Sequence, residues 1–247
     1  MDEVGYPDVI FHLAAIPRIQ PSFEDPSTTF NSNVVSTQNI CEWARTNGNI
    51  PVVYAGSSSI HGDKYANPYT FTKWLGEEVC NMYSNVYELP VTICRFYNVY
   101  GHHQASDGAY CNVLGIFERQ FKNGEPLTIT GDGEQRRDFT NVEDIVDGLI
   151  ACAEKGVPGG VYNLASGKET TIKDLAEKIA VAMNTGDLPM RRELLNQIPS
   201  GLLTLLKLPG LGPKRAAILH QELGITSLSG LRQAIKSKRV RAINGFG

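Results

Sequence analysis

Pro51-Val52-Val53-Tyr54-Ala55 is an apolar run of strand length, closed by Gly56-Ser57-Ser58-Ser59. A short run rich in β-branched and aromatic residues, ended by turn-forming residues, reads as a buried strand. Before it, residues 26–47 place Val34, Ile40, Trp43 and Ala44 at near-helical spacing, and Asp8-Val9-Ile10-Phe11-His12-Leu13-Ala14-Ala15 is a second apolar run. After it, a helical pattern over 68–88 leads to a third run, Val91-Thr92-Ile93-Cys94-Arg95-Phe96. Strands alternating with helices in this order must run parallel, with the helices packed on the sheet's faces. The same patterning predicts helices near 113–121, 142–154 and 172–183, and strands at 127–130 and 161–164.

The chain has 247 residues, 42% of them apolar and 20% charged, which excludes collagen, a disordered chain and a disulfide-stapled miniprotein. No window approaches the ~18–20 apolar residues that span a bilayer, so no membrane partner is expected. The start Met1-Asp2-Glu3 lacks the basic head of a secretion signal, and five cysteines without a C-x-x-C pair suit reduced thiols; a cytoplasmic location is expected. The cysteines are expected to be small buried hydrophobes. The net charge of −3 is unevenly spread: residues 187–247 carry ten Lys/Arg and three Asp/Glu, a net +7, so residues 1–186 carry −10. Gly and Pro punctuate Asn184-Thr185-Gly186-Asp187-Leu188-Pro189 like a linker. Two modules are expected, 1–186 and 187–247, the basic one being a nucleic-acid candidate.

Within the acidic module, Tyr69 and Lys73 stand four apart on a predicted helix and so share a face. A nearby ammonium favours an ionised phenol, and the spacing predicts a Tyr69 pKa lowered by Lys73 towards a general base for a sugar hydroxyl. By itself Y-x-x-x-K is a common surface pattern. His102-His103 have no third ligand at metal spacing and read as loop residues.

The order of the surrounding motifs is far more specific. Phe11-His12-Leu13-Ala14-Ala15, Asn33-Val34-Val35-Ser36-Thr37, Ser57-Ser58-Ser59-Ile60-His61-Gly62, Pro68-Tyr69 with Lys73, Arg95-Phe96-Tyr97-Asn98-Val99-Tyr100-Gly101, and Arg137-Asp138-Phe139-Thr140-Asn141 follow one another. Over residues 8–183 this series resembles the extended short-chain dehydrogenase/reductases, and in particular their NAD-dependent nucleotide-sugar epimerases of the UDP-glucose 4-epimerase type. The resemblance implies a partial Rossmann-type sheet and an isomerase chemistry on a nucleotide-diphosphate sugar. It casts Tyr69 as the acid/base, Lys73 as the holder of the nicotinamide ribose, and Ser57 as a hydrogen-bond partner of the sugar oxygen. Leu13, Ala14 and Ala15 would line the NAD by backbone contact, with Asn33 and Tyr97 nearby, and Asn98 and Arg137 would meet the diphosphate. In that mechanism a hydride leaves the sugar for NAD while the tyrosine takes the hydroxyl proton, and the hydride returns to the other face of the keto sugar.

Two departures qualify the resemblance. Sugar dehydratases of the family carry an Asp-Glu pair where Ser58-Ser59 stand here, so epimerisation is favoured over elimination of water. His61 replaces the usual Tyr before Gly62, which bears on substrate preference. The family's G-x-x-G-x-x-G loop, whose N–H groups hold the pyrophosphate, is not found in the sequence, and the match ends near Met183. NAD binding is therefore expected to be weak, and activity to need a complementing N-terminal unit. The apolar strand near Val9–Leu13, exposed on one side, is expected to drive self-association into a homo-oligomer.

In the basic module, Leu208-Pro209-Gly210-Leu211-Gly212-Pro213-Lys214-Arg215-Ala216 lies between helical stretches at 201–207 and 214–223. Glycines in such a turn free backbone N–H groups for an anion at the start of the second helix. The segment resembles the helix-hairpin-helix region of family X DNA polymerases, as do Glu222-Leu223-Gly224-Ile225 and Gly230-Leu231-Arg232-Gln233-Ala234-Ile235. The resemblance implies an all-α module that grips the DNA backbone without reading sequence, through Gly210, Gly212, Lys214 and Arg215. Three functions stay open: an epimerase piece, a DNA-binding protein with an epimerase-like scaffold, and a chimera of two sequences with no function of its own.

Overall fold

The structure is a computed structural model, and it describes residues 5–108, 111–185, 200–205, 208 and 211–243. Strands β1 (Ile10–His12), β2 (Val52–Ser57), β3 (Val91–Phe96) and β7 (Val161–Leu164) form a sheet in the order β1-β2-β3-β7, with every neighbouring pair parallel. Val52 pairs with Val91 and Ser57 with Phe96, so β2 and β3 end level with each other. The minor strands β4 (Val99–Tyr100) and β6 (Thr140–Asn141) pair in parallel, and β5 (Arg136–Asp138) and β8 (Glu169–Thr171) pair antiparallel.

All six residues of β2 are buried, as a central strand covered on both faces requires. Val52 and Tyr54 join Val91, Ile93, Cys41, Ala44, Cys80 and Leu89 in a core made with helices α3 (Ser36–Thr46) and α4 (Pro68–Tyr87). Val53 and Cys94 face the other way, onto Ile145, Leu149 and Cys152 of α6 (Val142–Lys155). The period-2 alternation of strand side chains thus distributes β2 and β3 over two cores. Cys41, Cys80, Cys94 and Cys152 are buried as expected, and Cys111 is half-buried.

Helix starts follow local chemistry. Asn67 caps α4 by accepting from the Thr70 N–H, with Pro68 in the first turn, and Asn112 does the same for α5 (Val113–Lys122) through Gly115. The helix expected over 26–47 is observed as α2 (Pro26–Phe30), a π turn at Asn31–Val35, and α3. The short helix α1 (Ile19–Glu24), unforeseen in the sequence, precedes it. No strand forms at 127–130; Gln120 of α5 instead bonds both the backbone and the hydroxyl of Thr128.

The chain divides into two compact units, 1–177 and 178–247, within α7 (Ile172–Thr185). The join expected at 186/187 lies outside the described residues. In the second unit, α8 (Ser200–Leu205), α9 (Pro213–Leu223) and α10 (Leu228–Lys236) enclose a core of Leu202, Leu205, Ala216, Leu219, Ile225, Leu231 and Ala234. Gly224 ends α9 with a positive φ of 65°, the left-handed turn glycine favours.

Candidate active site

Ser57 ends β2, and Tyr69 stands in the first turn of α4, where the buried Ser22 hydroxyl accepts its backbone N–H at 3.0 Å. The Tyr69 hydroxyl donates to Ser57 Oγ at 3.2 Å. Ser57 Oγ also accepts the Ser59 N–H at 3.2 Å and lies 3.0 Å from Ser59 Oγ. With both acceptor sites taken, the Ser57 proton is left to the Ser59 hydroxyl. The result is a hydroxyl chain from Tyr69 through Ser57 to Ser59.

Lys73, one turn further along α4, is buried, and its Nζ donates to the Ala55 carbonyl at 2.5 Å. Burial lowers its pKa from the ordinary 10.5 to about 8, with Cys80 and Glu77 acting in the opposite direction. The expected acidification of Tyr69 by Lys73 is not what the structure shows. Burial raises the Tyr69 pKa; the hydrogen bond with Ser57 and the charge of Arg18 oppose the rise. The amine is turned towards Ala55, so four-residue spacing brings the two side chains to one face without aiming one at the other.

Leu13 and Ala14 follow β1 and are exposed, and Ala15 is half-buried. Asn33, expected beside the cofactor, is buried in the π turn, and its amide is engaged within the protein. Its oxygen accepts the Ile16 N–H at 2.7 Å, and its nitrogen donates to Ile16 O and to Thr72 Oγ1, each at 3.1 Å. Asn33 therefore fixes the segment after β1. A π turn lets a helix present a side chain out of register, which suits this task.

His61, the family departure, lies with its ring centroid 6.0 Å from that of Tyr97. Asn98 is exposed and donates to the Asp138 carbonyl at 2.9 Å, which brings it next to Arg137 in the chain. The Arg137 guanidinium is exposed and folds onto the Arg136 carbonyl at 2.8 Å.

In the second unit, Gly210 lies outside the described residues, and so does the side chain of Lys214. Gly212 is exposed at the start of α9, and Arg215 is exposed one turn on. Gly212 has a φ of −74°, and a Cβ there would meet nothing within 4 Å, so its backbone conformation is open to any residue.

Sequence patterns gave no signal for three further groups. Arg18, at a positive φ of 90°, acts electrostatically on Tyr69. Ser22 anchors the Tyr69 backbone. Glu77, 2% exposed, pairs with Arg95 at 2.7 Å. Lone Arg, Ser and Glu residues are too common for spacing to single them out.

Residues 1–165 match the model of the NAD dependent epimerase/dehydratase family. The chain is 36% identical over 160 residues to an uncharacterized UDP-glucose epimerase, YtcB, of Bacillus subtilis, covering 60% of this chain and 49% of that protein. It is 34% identical over 196 residues to a UDP-glucose 4-epimerase of Mycolicibacterium smegmatis, covering 74% and 62%. A UDP-glucuronic acid 4-epimerase of Bacillus cereus, solved with UDP-glucuronic acid and NAD, superposes with a TM-score of 0.63 at 30% identity, covering 73% of this chain and 60% of that one. The chain thus spans about half to three-fifths of the length of these relatives. Matched over two-thirds of its residues, the chain belongs to the NAD-dependent epimerase/dehydratase family.

Proposed function

We propose that the first unit carries the proton-transfer half of a nucleotide-sugar epimerisation of the UDP-glucose 4-epimerase type. The observation that carries this reading is the Tyr69–Ser57 hydroxyl pair at 3.2 Å with the Lys73 ammonium one helical turn away. The residues present fit the nicotinamide half of NAD: the Lys73 ammonium, held by Ala55 O and the Tyr54 ring, has a proton left for a ribose hydroxyl, and Leu13 and Ala14 are exposed after the edge strand β1. Bound NAD supplies the acceptor and donor of hydride at the sugar carbon.

The chain's own residues perform the remaining tasks. Tyr69 takes the proton of the sugar hydroxyl and returns it, and Ser57, held by Ser59, keeps that oxygen within reach of the phenol. Burial keeps Tyr69 protonated in the free protein, so the phenol first gives its proton to solvent and then accepts that of the sugar hydroxyl. Arg137 suits a diphosphate through its forked guanidinium, with Asn98 setting the neighbouring backbone. Ser58 and Ser59 hold no carboxylate for eliminating water, which favours epimerisation over dehydration.

The test is interconversion of UDP-glucose and UDP-galactose by the protein supplied with NAD and with a complementing N-terminal unit of the family, followed by proton NMR. Tyr69→Phe should abolish it, and turnover within tenfold of the parent would remove Tyr69 from its role.

A second reading concerns the basic unit: it binds the phosphates of DNA without sequence preference, at the start of α9. The exposed Gly212 and Arg215, together with the net positive charge of the segment, favour it. The acidic unit would then serve this binding as a scaffold. Fluorescence anisotropy with a labelled duplex should give an affinity of about 10⁻⁴–10⁻⁶ M that falls steeply with salt. A salt-independent signal, or none, would dismiss it.

A further inference from the structure

Lys73 is an ammonium in an unusual position: 5% exposed, and among the described residues without a carboxylate at ion-pair distance. The nearest acid along its helix, Glu77, is committed to Arg95. Two contacts hold the charge instead. One is the Ala55 carbonyl at 2.5 Å, and the other is the face of the Tyr54 ring, whose centroid lies 4.6 Å from Nζ. A desolvated cation over an aromatic face is attracted by the ring's negative quadrupole.

Tyr54 is built for the ring rather than for the hydroxyl. Its Oη is the one buried side-chain polar atom without a hydrogen-bond partner among the described residues. The nearby Thr37 hydroxyl gives its proton to Asn33 O at 2.7 Å and lies 2.9 Å from His12 Nε2. The phenol fits only because residue 76 is glycine: a Cβ there would stand 2.1 Å from Tyr54 Oη and 2.8 Å from Cζ. On the other side, the His12 ring packs 5.6 Å from the Tyr54 ring, centroid to centroid. Ring and helix are thus fixed against each other, and Tyr54 leaves β2 immediately before the carbonyl that Lys73 binds.

We propose that Tyr54 is a positioning residue whose ring face, seated by Gly76 and His12, holds the Lys73 ammonium against the Ala55 carbonyl. This rests on the placement of Lys73 in the proposed site, but the hold itself is measurable without activity. The groups around the amine are His12 on β1, Tyr54 on β2, and Tyr69, Glu77 and Cys80 on α4. Burial keeps His12 neutral, with a pKa lowered to about 4, so it adds no charge near neutral pH. Burial likewise keeps Tyr54 protonated. The ring therefore acts as a neutral π face.

The experiment is an NMR titration of the Lys73 side chain in the full chain labelled with ¹³C,¹⁵N-lysine, assigned with Lys73→Met. Removing a contact that favours the charged form lowers the pKa. Tyr54→Phe keeps the face and drops the unpartnered hydroxyl; it should leave the Lys73 midpoint within about 0.3 pH unit of the parent and not lower the unfolding temperature. Tyr54→Leu should lower the midpoint by about one unit, a tenfold change in the ionisation equilibrium. Tyr54→Met, closer in length, serves if the leucine variant does not fold. Gly76→Ala pushes the ring aside and should shift Lys73 in the same direction as leucine, and less so when combined with Tyr54→Phe. An unmoved midpoint in the aliphatic variants, or a phenylalanine variant that shifts as far as leucine, would overturn the proposal. Retained epimerisation in Tyr69→Phe would instead count against the proposed function, and the titration would still decide the hold of Tyr54 on Lys73.

Discussion

Glu77 of α4 grips Arg95 of β3 with both carboxylate oxygens, at 2.7–3.2 Å, and a methyl group on Gly56 would stand 2.7 Å from Glu77 Oε1. The pair ties the helix that bears Tyr69 and Lys73 to the strand beside β2. It also explains why a glycine sits immediately before Ser57.

From this pair, Glu77→Gln should lower stability by about 1–3 kcal/mol, because it leaves the half-buried Arg95 guanidinium without its counter-charge. Gly56→Ala should cost about 1–3 kcal/mol by crowding the carboxylate. Urea unfolding curves check both. A loss under half a kcal/mol in each would mean the pair is not tying helix to strand.

Asn33→Ala removes three hydrogen bonds and leaves the Ile16 N–H and C=O without their partner. The expected cost is about 1–3 kcal/mol, with faster hydrogen exchange at Ile16 than at β2 amides. Unchanged exchange at Ile16 would show that something other than Asn33 fixes the segment after β1.

Acid should weaken the fold through His12. Burial first, and the charge of Lys73 second, lower its pKa from 6.5 to about 4. The unfolded chain therefore takes up a proton at a higher pH than the folded one. The stability tied to neutral His12 is complete above about pH 6.5 and is lost as the pH falls towards 4. Unfolding temperatures between pH 7.5 and 4.5 should fall more steeply in the parent than in His12→Gln; equal slopes would contradict the assignment.

Phe11 on β1 is 40% exposed and Leu13 just beyond it 50%, and β1 pairs only with β2 among the described residues. An apolar strand edge is a template for pairing with another chain. Sedimentation velocity should show association that grows with concentration and that Phe11→Lys suppresses. A monomer at every concentration would show that the edge is covered.

Much of this framework was legible in the sequence because it rests on local chemistry. The runs at 52–57, 91–96 and 161–164 are apolar on a strand scale, and Asn67-Pro68 announces the helix that carries Tyr69 and Lys73. The misread stretches are those decided by distant partners. Leu127–Thr130 alternates like a strand, yet Gln120 satisfies Thr128 in place of a neighbouring strand. The short α1 contains a proline, and nothing in 26–47 signals the π turn that turns Asn33 towards Ile16. Within the site, spacing placed Tyr69 and Lys73 on one face. The direction of the amine, towards Ala55 and the Tyr54 ring, depends on the strand packed beneath, which spacing does not encode.

The central claim, that Tyr69 stands where sugar and cofactor meet, is tested most directly by its own resonance. In the chain labelled with ¹³Cζ-tyrosine, and with Tyr69 assigned through Tyr69→Phe, UDP-glucose and NAD added together should displace the Tyr69 signal. The signals of the exposed Tyr6 and Tyr65 should stay in place, and the Tyr69 response should weaken in Lys73→Ala. A Tyr69 signal that stays fixed at millimolar concentrations of both ligands would contradict the account.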